Sequence, residues 1–462
     1  NYINVTSPPP PVANFTANPT SGSMPLVVQF TSTSTGSITS YSWDFNNDGT
    51  ADSSDSNPSY TYNEPGVYSI KLTVSGPGGS NSSTQTDLIE VLGGLIYVDL
   101  NATGAEDGST WDDAFTYIQD GLDAAEDGET VCVANGTYTG FGNTNLIFGG
   151  IAIHLKSDGG AESCIIDGEG LDRCFTFEDG ETAEAIVEGF TIRNGYSYDY
   201  GGCIYCEYDS NPTIKDCIIT GGLGEMGGGG IACEMASPTI INCTITENTN
   251  SMSGAGGINL SSSNAVITNC IISNNTMDSW SWMGAGGIGF EYGSSAIITN
   301  CLICDNTGSM GGAGGANFTE SSPVFINCTI AGNFSDMDGG GVFIDMDSVP
   351  EFYNTIIWGN MSFFSGPDIY TDNEDNSAVF EFCDFDESTV EGWGVDILEP
   401  VNCINADPEY NDSGSGDYSI ASTSPCVDAG DDSQVPAGVT TDLAGNARIS
   451  SSAVDIGAYE SQ

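Results

Sequence analysis

Between Gly201 and Asn360 one short pattern recurs: a Gly-Gly pair, an apolar stretch, a second stretch ending in Cys (usually Asn-Cys), an Ile two residues on, and an Asn. The Gly pairs begin at 201, 229, 256, 286, 314 and 340, and the Cys residues fall at 217, 243, 270, 301 and 328. Internal periods of this size belong to stacked repeats. A single unit cannot bury its own apolar face, so stability comes from its neighbours. The period narrows function to what a long, stiff, extracellular rod can do.

One unit reads Gly256-Gly257-Ile258-Asn259-Leu260, then Val266-Ile267-Thr268-Asn269-Cys270-Ile271-Ile272, then Asn275. Apolar and polar residues alternate over short runs, which predicts about three half-buried strands per unit and no helix. The Asn of each Asn-Cys pair is expected at a tight left-handed corner, a conformation Asn tolerates better than most residues. The Cys and the Ile two further on then face inward together. The later Asn (248, 275, 306, 333, 360) marks the next corner. Stacked strands lie about 4.8 Å apart, so like residues form ladders. Variable segments ahead of the Gly pairs are the protruding loops, and Gly lets the chain re-enter the stack without a side-chain clash.

Such a stack needs covered ends. Asp112 to Ala125 carries apolar residues at helical spacing and reads as an amphipathic lid over the first coil. The run from Ser424 to Glu460 loses the period and is expected to close the other end. These repeats resemble the right-handed parallel β-helix of the pectate-lyase-like superfamily. The opening Tyr97-Val98-Asp99 with Gly108-Ser109-Thr110-Trp111-Asp112 resembles secreted bacterial and archaeal surface members of it. So does the closing Ser424-Pro425-Cys426-Val427-Asp428-Ala429-Gly430 with Val454-Asp455-Ile456-Gly457-Ala458-Tyr459-Glu460. The resemblance implies fold more than function, because the superfamily holds enzymes, adhesins and structural rods.

Residues 12–92 have strand signals without the repeat. Tyr41-Ser42-Trp43-Asp44-Phe45 and Tyr62-Asn63-Glu64-Pro65-Gly66-Val67-Tyr68 are similar to the paired signatures of PKD domains, β-sandwiches of immunoglobulin type. The family implies a spacer or contact module. The expected organisation is an extended tail and Pro-rich spacer at 1–11, the sandwich at 12–92, the β-helix at 95–405 and a capping segment at 406–462. Pro8 to Pro11 stiffens the tail. Ahead of it, Tyr2, Ile3 and Val5 make a β-prone tip: either a frayed end or a strand that adds to a neighbouring subunit's sheet.

The net charge is −58, from 64 acidic and 6 basic side chains. Self-repulsion on this scale calls for salt or bound cations. The sign excludes nucleic acid and anionic membranes as direct partners, and no apolar run is long enough to span a bilayer. A chain starting at Asn1 reads as a mature form with its signal peptide removed. The 15 Cys are expected mostly as buried free thiols filling an inward ladder, although adjacent rungs sit near disulfide distance. Sequons such as Asn81, Asn135 and Asn411 make glycosylation an expectation for exposed sites.

Asp44, Asn46, Asp48, Thr50, Asp52 and Asp55 match the ligand positions of a calcium loop, with Gly49 at the turn. The favoured reading is a structural Ca2+ site; the alternative is an Asp/Asn-rich turn in which Asp44 bonds the turn itself. Asp336, Asp338, Asp345 and Asp347 read as solvated surface. For catalysis the chain is poorly equipped. Lyases on this fold use Arg or Lys, and Lys71, Lys156, Lys215, Arg173, Arg193 and Arg448 are the whole cationic complement. His154, the one His, reads as an outward strand residue. Acidic pairs such as Asp199 with Asp209, or Glu207 with Glu234, could face one another across coils. Tyr196, Tyr198 and Tyr200, with Trp280 and Trp282, offer aromatic faces for a neutral glycan or a protein partner.

The expectation is thus an all-β extracellular protein, a sandwich followed by a parallel β-helix, serving as a calcium-stabilised subunit of a surface filament, stalk or layer. Head-to-tail self-assembly through the N-terminal strand is the preferred version. A glycan-binding adhesin is second and a polysaccharide-degrading enzyme third.

Overall fold

Alternation and turn chemistry produce strands almost throughout. The computed structural model describes residues 8–278, 284–309, 312–373, 376–392, 396–397 and 400–461. Tyr2, Ile3, Val5, Trp280 and Trp282 lie outside them. Two compact units separate: Asn1–Leu95 with Asp127–Thr130, and Ile96–Glu126 with Val131–Gln462.

The first unit is a sandwich. Strands Phe15–Asn18, Leu26–Ser32 and Ser59–Tyr62 form one sheet. Ser21–Ser23, Gly79–Leu92, Gly66–Gly76 and Ser40–Asp44 form the other. Trp43 is buried between them, its ring 5.2 Å from Phe15 edge-on, and its indole N–H donates to the Asp55 carbonyl at 2.8 Å. Truncating a buried Trp of this kind costs about 3–5 kcal/mol.

The second unit is a right-handed solenoid of about 9 turns. Among the described residues its coils build three parallel sheets of twelve, ten and ten strands. In one coil, Thr239–Ile241 belongs to the first sheet, Thr244–Thr246 to the second and Ile258–Ser261 to the third. Between the second and third, Thr249–Ala255 runs out and back and pairs with its equivalents as an outer strand row. Gly256 and Gly257 bring the chain home: a Cβ on Gly257 would lie 2.5 Å from the Gly287 carbonyl oxygen.

The corners are held by side chains. Asn242, Asn269, Asn300 and Asn327 have φ of 52–55°, the left-handed corner their sequence predicts. Each following Cys turns inward and donates its thiol to the carbonyl two residues back, as Cys243 does to Ile241 at 3.3 Å. Thr355 occupies the same place in a later coil and its hydroxyl makes the same bond, to Tyr353 at 2.9 Å. The column therefore selects a small inward donor. All 15 cysteines are free thiols, and burial raises the pKa of Cys217 and Cys301.

At the next corner the left-handed residue is the one before the later Asn, for example Glu247 or Asp305. The Asn itself faces in. Asn275 Nδ2 donates to Asn306 Oδ1 at 3.0 Å and to the Ile245 carbonyl at 2.9 Å, and Asn248, Asn306 and Asn333 repeat the scheme. The column begins at the Gly222 N–H and ends on the Asp368 carboxylate. A third column, Ser263, Ser294, Ser321 and Ser348, accepts backbone N–H groups at the remaining corner.

Two expectations are corrected. The lid is helical only over Ile118–Ala124, with Asn143 Oδ1 accepting the Ile118 N–H; Asp112 and Asp113 precede it in a turn and Phe115 in an isolated bridge to Val98. The C-terminal segment does not close the end of the stack. It lies along the outward face of the second sheet, where Tyr418 packs on Leu302, Cys304 and Ala331, and Ile420, Cys426 and Ile456 pack on Ile356. Its Ala458 N–H donates to Thr329. The cause is the outward row itself, polar at Thr244 and Thr246 but apolar at Leu302 and Ile356, which requires a cover.

Candidate functional site

Outward residues of a solenoid sheet ordinarily face water. In the third sheet they do not. Asn259, Asn317 and Thr319 are buried, and Glu291 is only 7% exposed. The outer strand row folds back over them, placing the small residues Ala255, Ala285 and Ala313 in a buried cluster with Phe343. A Cβ on Gly289 would sit 2.7 Å from Asn259 Oδ1, so a side chain there would have to displace the Asn259 amide.

What stays open is a groove of about 280 Å3 lined by Tyr200, Met226, Glu234, Asn259, Glu291 and Tyr292. Its polar groups are under-used. Glu291 Oε1 and Asn259 Oδ1 have no hydrogen-bond partner among the described residues. Burial, partly offset by the Asn259 amide, pushes the Glu291 carboxyl up to about 7. Orphaned acceptors of this kind carry a desolvation cost of about 1–3 kcal/mol each until a donor arrives.

Beside the groove residue Tyr200 lies Arg173. Its guanidinium lies 4.9 Å from the Tyr205 ring centre and donates to the Gly201 and Tyr200 carbonyls, to Thr176 and to Ser197. Tyr200 stacks on Tyr205 at 5.7 Å. Glu207 and Glu234 are direct register partners on adjacent strands, as the sequence suggested, and Tyr205 Oη lies 3.1 and 3.0 Å from one oxygen of each. One hydroxyl proton serves two carboxylates, and burial raises the Glu207 pKa. Asp199 and Asp209 fall on different elements, an outer strand and a turn.

The other sequence candidates scatter. Tyr196 and Tyr198 share the outer strand Tyr196–Tyr200; Tyr196 donates to Glu225 at 3.0 Å and Tyr198 is 71% exposed. In the sandwich loop, Asp44 accepts the Asp48 and Gly49 amides, Asp52 accepts the Phe45 amide, and Asp48 accepts the Thr50 amide, which lowers the Asp48 pKa. These carboxylates are turned onto their own backbone. Among the described residues no group of three or more His, Cys, Asp and Glu converges to hold a metal. Asp345 is buried rather than solvated, and burial with the neighbouring Asp345 carboxyl pushes Asp372 up to about 7.

The cations of the solenoid are already engaged. His154, Lys156 and Lys215 surround Glu188 at 2.8, 3.0 and 2.6 Å. Arg193 pairs with Asp167 at 2.7 Å, and Arg448 pairs with Glu460 beneath the C-terminal segment. Sequence reasoning missed Glu291 and Asn259 as groove residues, and Arg173 as the anchor of the adjoining Tyr200. A signal was present: Glu207, Glu234, Glu291 and Asp345 each close an outward row of one repeat strand.

A sequence profile for the right-handed β-helix region matches residues 129–330 and 202–392, together more than half of the chain. The chain belongs to the right-handed β-helix family. A PKD-domain profile matches residues 6–91, ahead of the β-helix. Among solved structures, the PKD1 domain from Vibrio cholerae metalloprotease PrtV matches at 36% identity, over 17% of this chain and 96% of that one, with a TM-score of 0.15. Pectate lyase Pel9A matches at 16% identity, over 80% of this chain and 96% of that one, with a TM-score of 0.46. No curated protein matches. In this β-helix the groove gathers acceptors and aromatic faces, with no Lys, Arg or His among its described lining residues, and the neighbouring Arg173 is spent on carbonyls, hydroxyls and a ring. Such a lining suits a neutral, hydroxyl-rich ligand and repels an anionic one.

Proposed function

We propose that this PKD–β-helix protein is an extracellular structural subunit of a surface filament, stalk or layer. The observation that supports it is the set of side-chain columns at all three corners, above all the unbroken run from Gly222 through five Asn to Asp368. Every rung is braced by the next, a device for stiffness rather than for turnover. PKD and β-helix domains together are typical of extracellular proteins, and no helix among the described residues is long and apolar enough to cross a membrane.

In the preferred version, Tyr2, Ile3 and Val5 donate a strand to the next copy. Negative-stain imaging of purified chain is the test: fibres or layers with a regular repeat support assembly, and monodisperse monomers at high concentration with calcium overturn it. Deleting residues 1–7 should abolish fibres; unchanged fibres remove strand donation. Calcium at the Asp44–Asp55 loop enters as a stabiliser that requires Asp44 and Asp52 to release their amides. A rise in thermal midpoint with calcium, lost in Asp48→Ala, supports it, and no rise removes it.

The groove favours a second reading, a surface adhesin for a neutral glycan. Its support is the orphaned acceptors on Glu291 and Asn259, which sugar hydroxyls would satisfy. A glycan array read with the parent chain and Tyr200→Ala tests it. Reducing-sugar release from a bound glycan, lost in Glu234→Gln, would instead support the enzyme reading.

A further inference from the structure

The outward face of the first sheet is bare of acid over five successive coils. One row runs Thr213, Thr239, Val266, Ile297, Val324, and beside it lie Ile241, Thr268, Thr299 and Ile326. Every one of these is β-branched and uncharged, in a chain carrying 64 acidic residues. Val266 and Ile297 are 41% and 44% exposed, whereas Thr299 is already buried within the monomer. Flat, in-register rows of this kind are what sheet faces use to pack on one another.

Charge marks the two ends. Toward the N-terminus the same rows carry His154, Lys156 and Lys215 around Glu188. Toward the C-terminus they carry Glu351 and Glu381. A face with two Lys only partly neutralised by Glu188 at one end, no charge in the middle and two carboxylates at the other is complementary to itself when inverted. We propose that this face is a lateral, isologous interface between two copies of the chain, packed sheet on sheet with helix axes antiparallel. A two-fold axis along the strands near Val266 sets like rows against each other. Lys156 of one copy then meets Glu381 of the other, Thr239 meets Ile297, and Val266 meets Val266.

Nine strands from His154 to Val379 span about 38 Å at about 4.8 Å per step, and a width of about 15 Å gives roughly 1,200 Å2 buried in total. That reaches the lower end of specific interfaces. The acid-free strip also lets two copies of charge −58 approach with less repulsion than an acid-bearing face would. This contact is independent of N-terminal strand donation, which joins different surfaces.

Sedimentation velocity of the full chain across a salt series tests it, because screening of the net charge should strengthen association as salt rises. Parent chain and a variant lacking residues 1–7 should both dimerise. Val266→Lys, which sets two ammonium groups at the axis, should weaken the dimer about a hundredfold. Lys156→Glu should weaken it about tenfold, and Lys156→Glu with Glu381→Lys should restore it. Thermal unfolding of each variant separates interface loss from misfolding: Val266→Lys should leave it unchanged, and Lys156→Glu should lower it slightly through the lost Glu188 pair in monomer and dimer alike. A monomer at every salt, a dimer indifferent to Val266→Lys, or a double variant no better than the single one overturns the proposal. So does a chain that stays monomeric yet is recruited to ice or crystalline polysaccharide through the same residues.

Discussion

The first and third sheets are laid down by the same coils, yet their outward rows carry opposite chemistry. On the first sheet, Glu188 sits among Lys215, Lys156 and His154; burial opposes its ionisation, but Lys215 foremost among these cations outweighs that and holds the carboxyl down to about 2. On the third sheet, Glu291 lies under a fold-back wall with only an amide for company, and burial pushes it up to about 7. Strand register fixes where both residues stand. What covers the strand decides which protonation state each prefers, and that cover comes from loops outside the repeat.

The largest effect should come from removing the buried acid. Glu291 has a folded pKa above its ordinary 4.5, so its contribution is fully present below about pH 4.5 and is lost as pH rises through 7. The difference is about 3 kcal/mol. Glu291→Gln should abolish that decline and stabilise the solenoid at pH 8 by up to about 3 kcal/mol in urea unfolding; an unchanged pH profile would break the contrast. Next, Ala285→Leu should overpack the fold-back wall and cost about 1–3 kcal/mol. It should also flatten the same pH profile, because a lifted wall lets water reach Glu291.

Glu188 carries the opposite sign. Its folded pKa lies below 4.5, so its stabilisation is present above that pH and disappears as pH falls toward 2. Lys156 is 46% exposed and Lys215 31%, so screening reduces the contribution to about 1 kcal/mol. Glu188→Gln should cost that much at pH 7 and little at pH 2, measured by the same unfolding. The smallest effect belongs to the neutral strip: Thr239→Val should change stability by no more than about 0.5 kcal/mol. A larger loss would mean that the strip is already part of the packed structure of the monomer.

The periodic part of this architecture was legible and the aperiodic part was not. Asn242 and its equivalents announce a left-handed corner because few other side chains tolerate it. The Gly pairs announce a close backbone approach, and the Cys spacing an inward column. Ser262-Ser263, Ser294-Ser295 and Ser321-Ser322 held the third column in plain view, but Ser is so common in loops that its period went unread. The groove was legible only in its Glu207–Glu234 pairing. The burial of Asn259 and Glu291 depends on how Thr249–Ala255 doubles back, a tertiary event with no period to betray it. Likewise the C-terminal segment shows no signal of lying sideways until the second sheet's outward Leu302 and Ile356 are seen to need covering.

The Asn column also has a direction. Each amide gives one N–H onward to the next rung and the other back to a carbonyl of the preceding coil, and receives on its oxygen, so the run ends on an acceptor, the Asp368 carboxylate. Interior rungs such as Asn275 and Asn306 are interchangeable, whereas the first and last are not. The molecule can therefore be lengthened or shortened by whole cassettes cut between equivalent corners, growing or shrinking by about 4.8 Å a step, while its two boundary chemistries stay where they are.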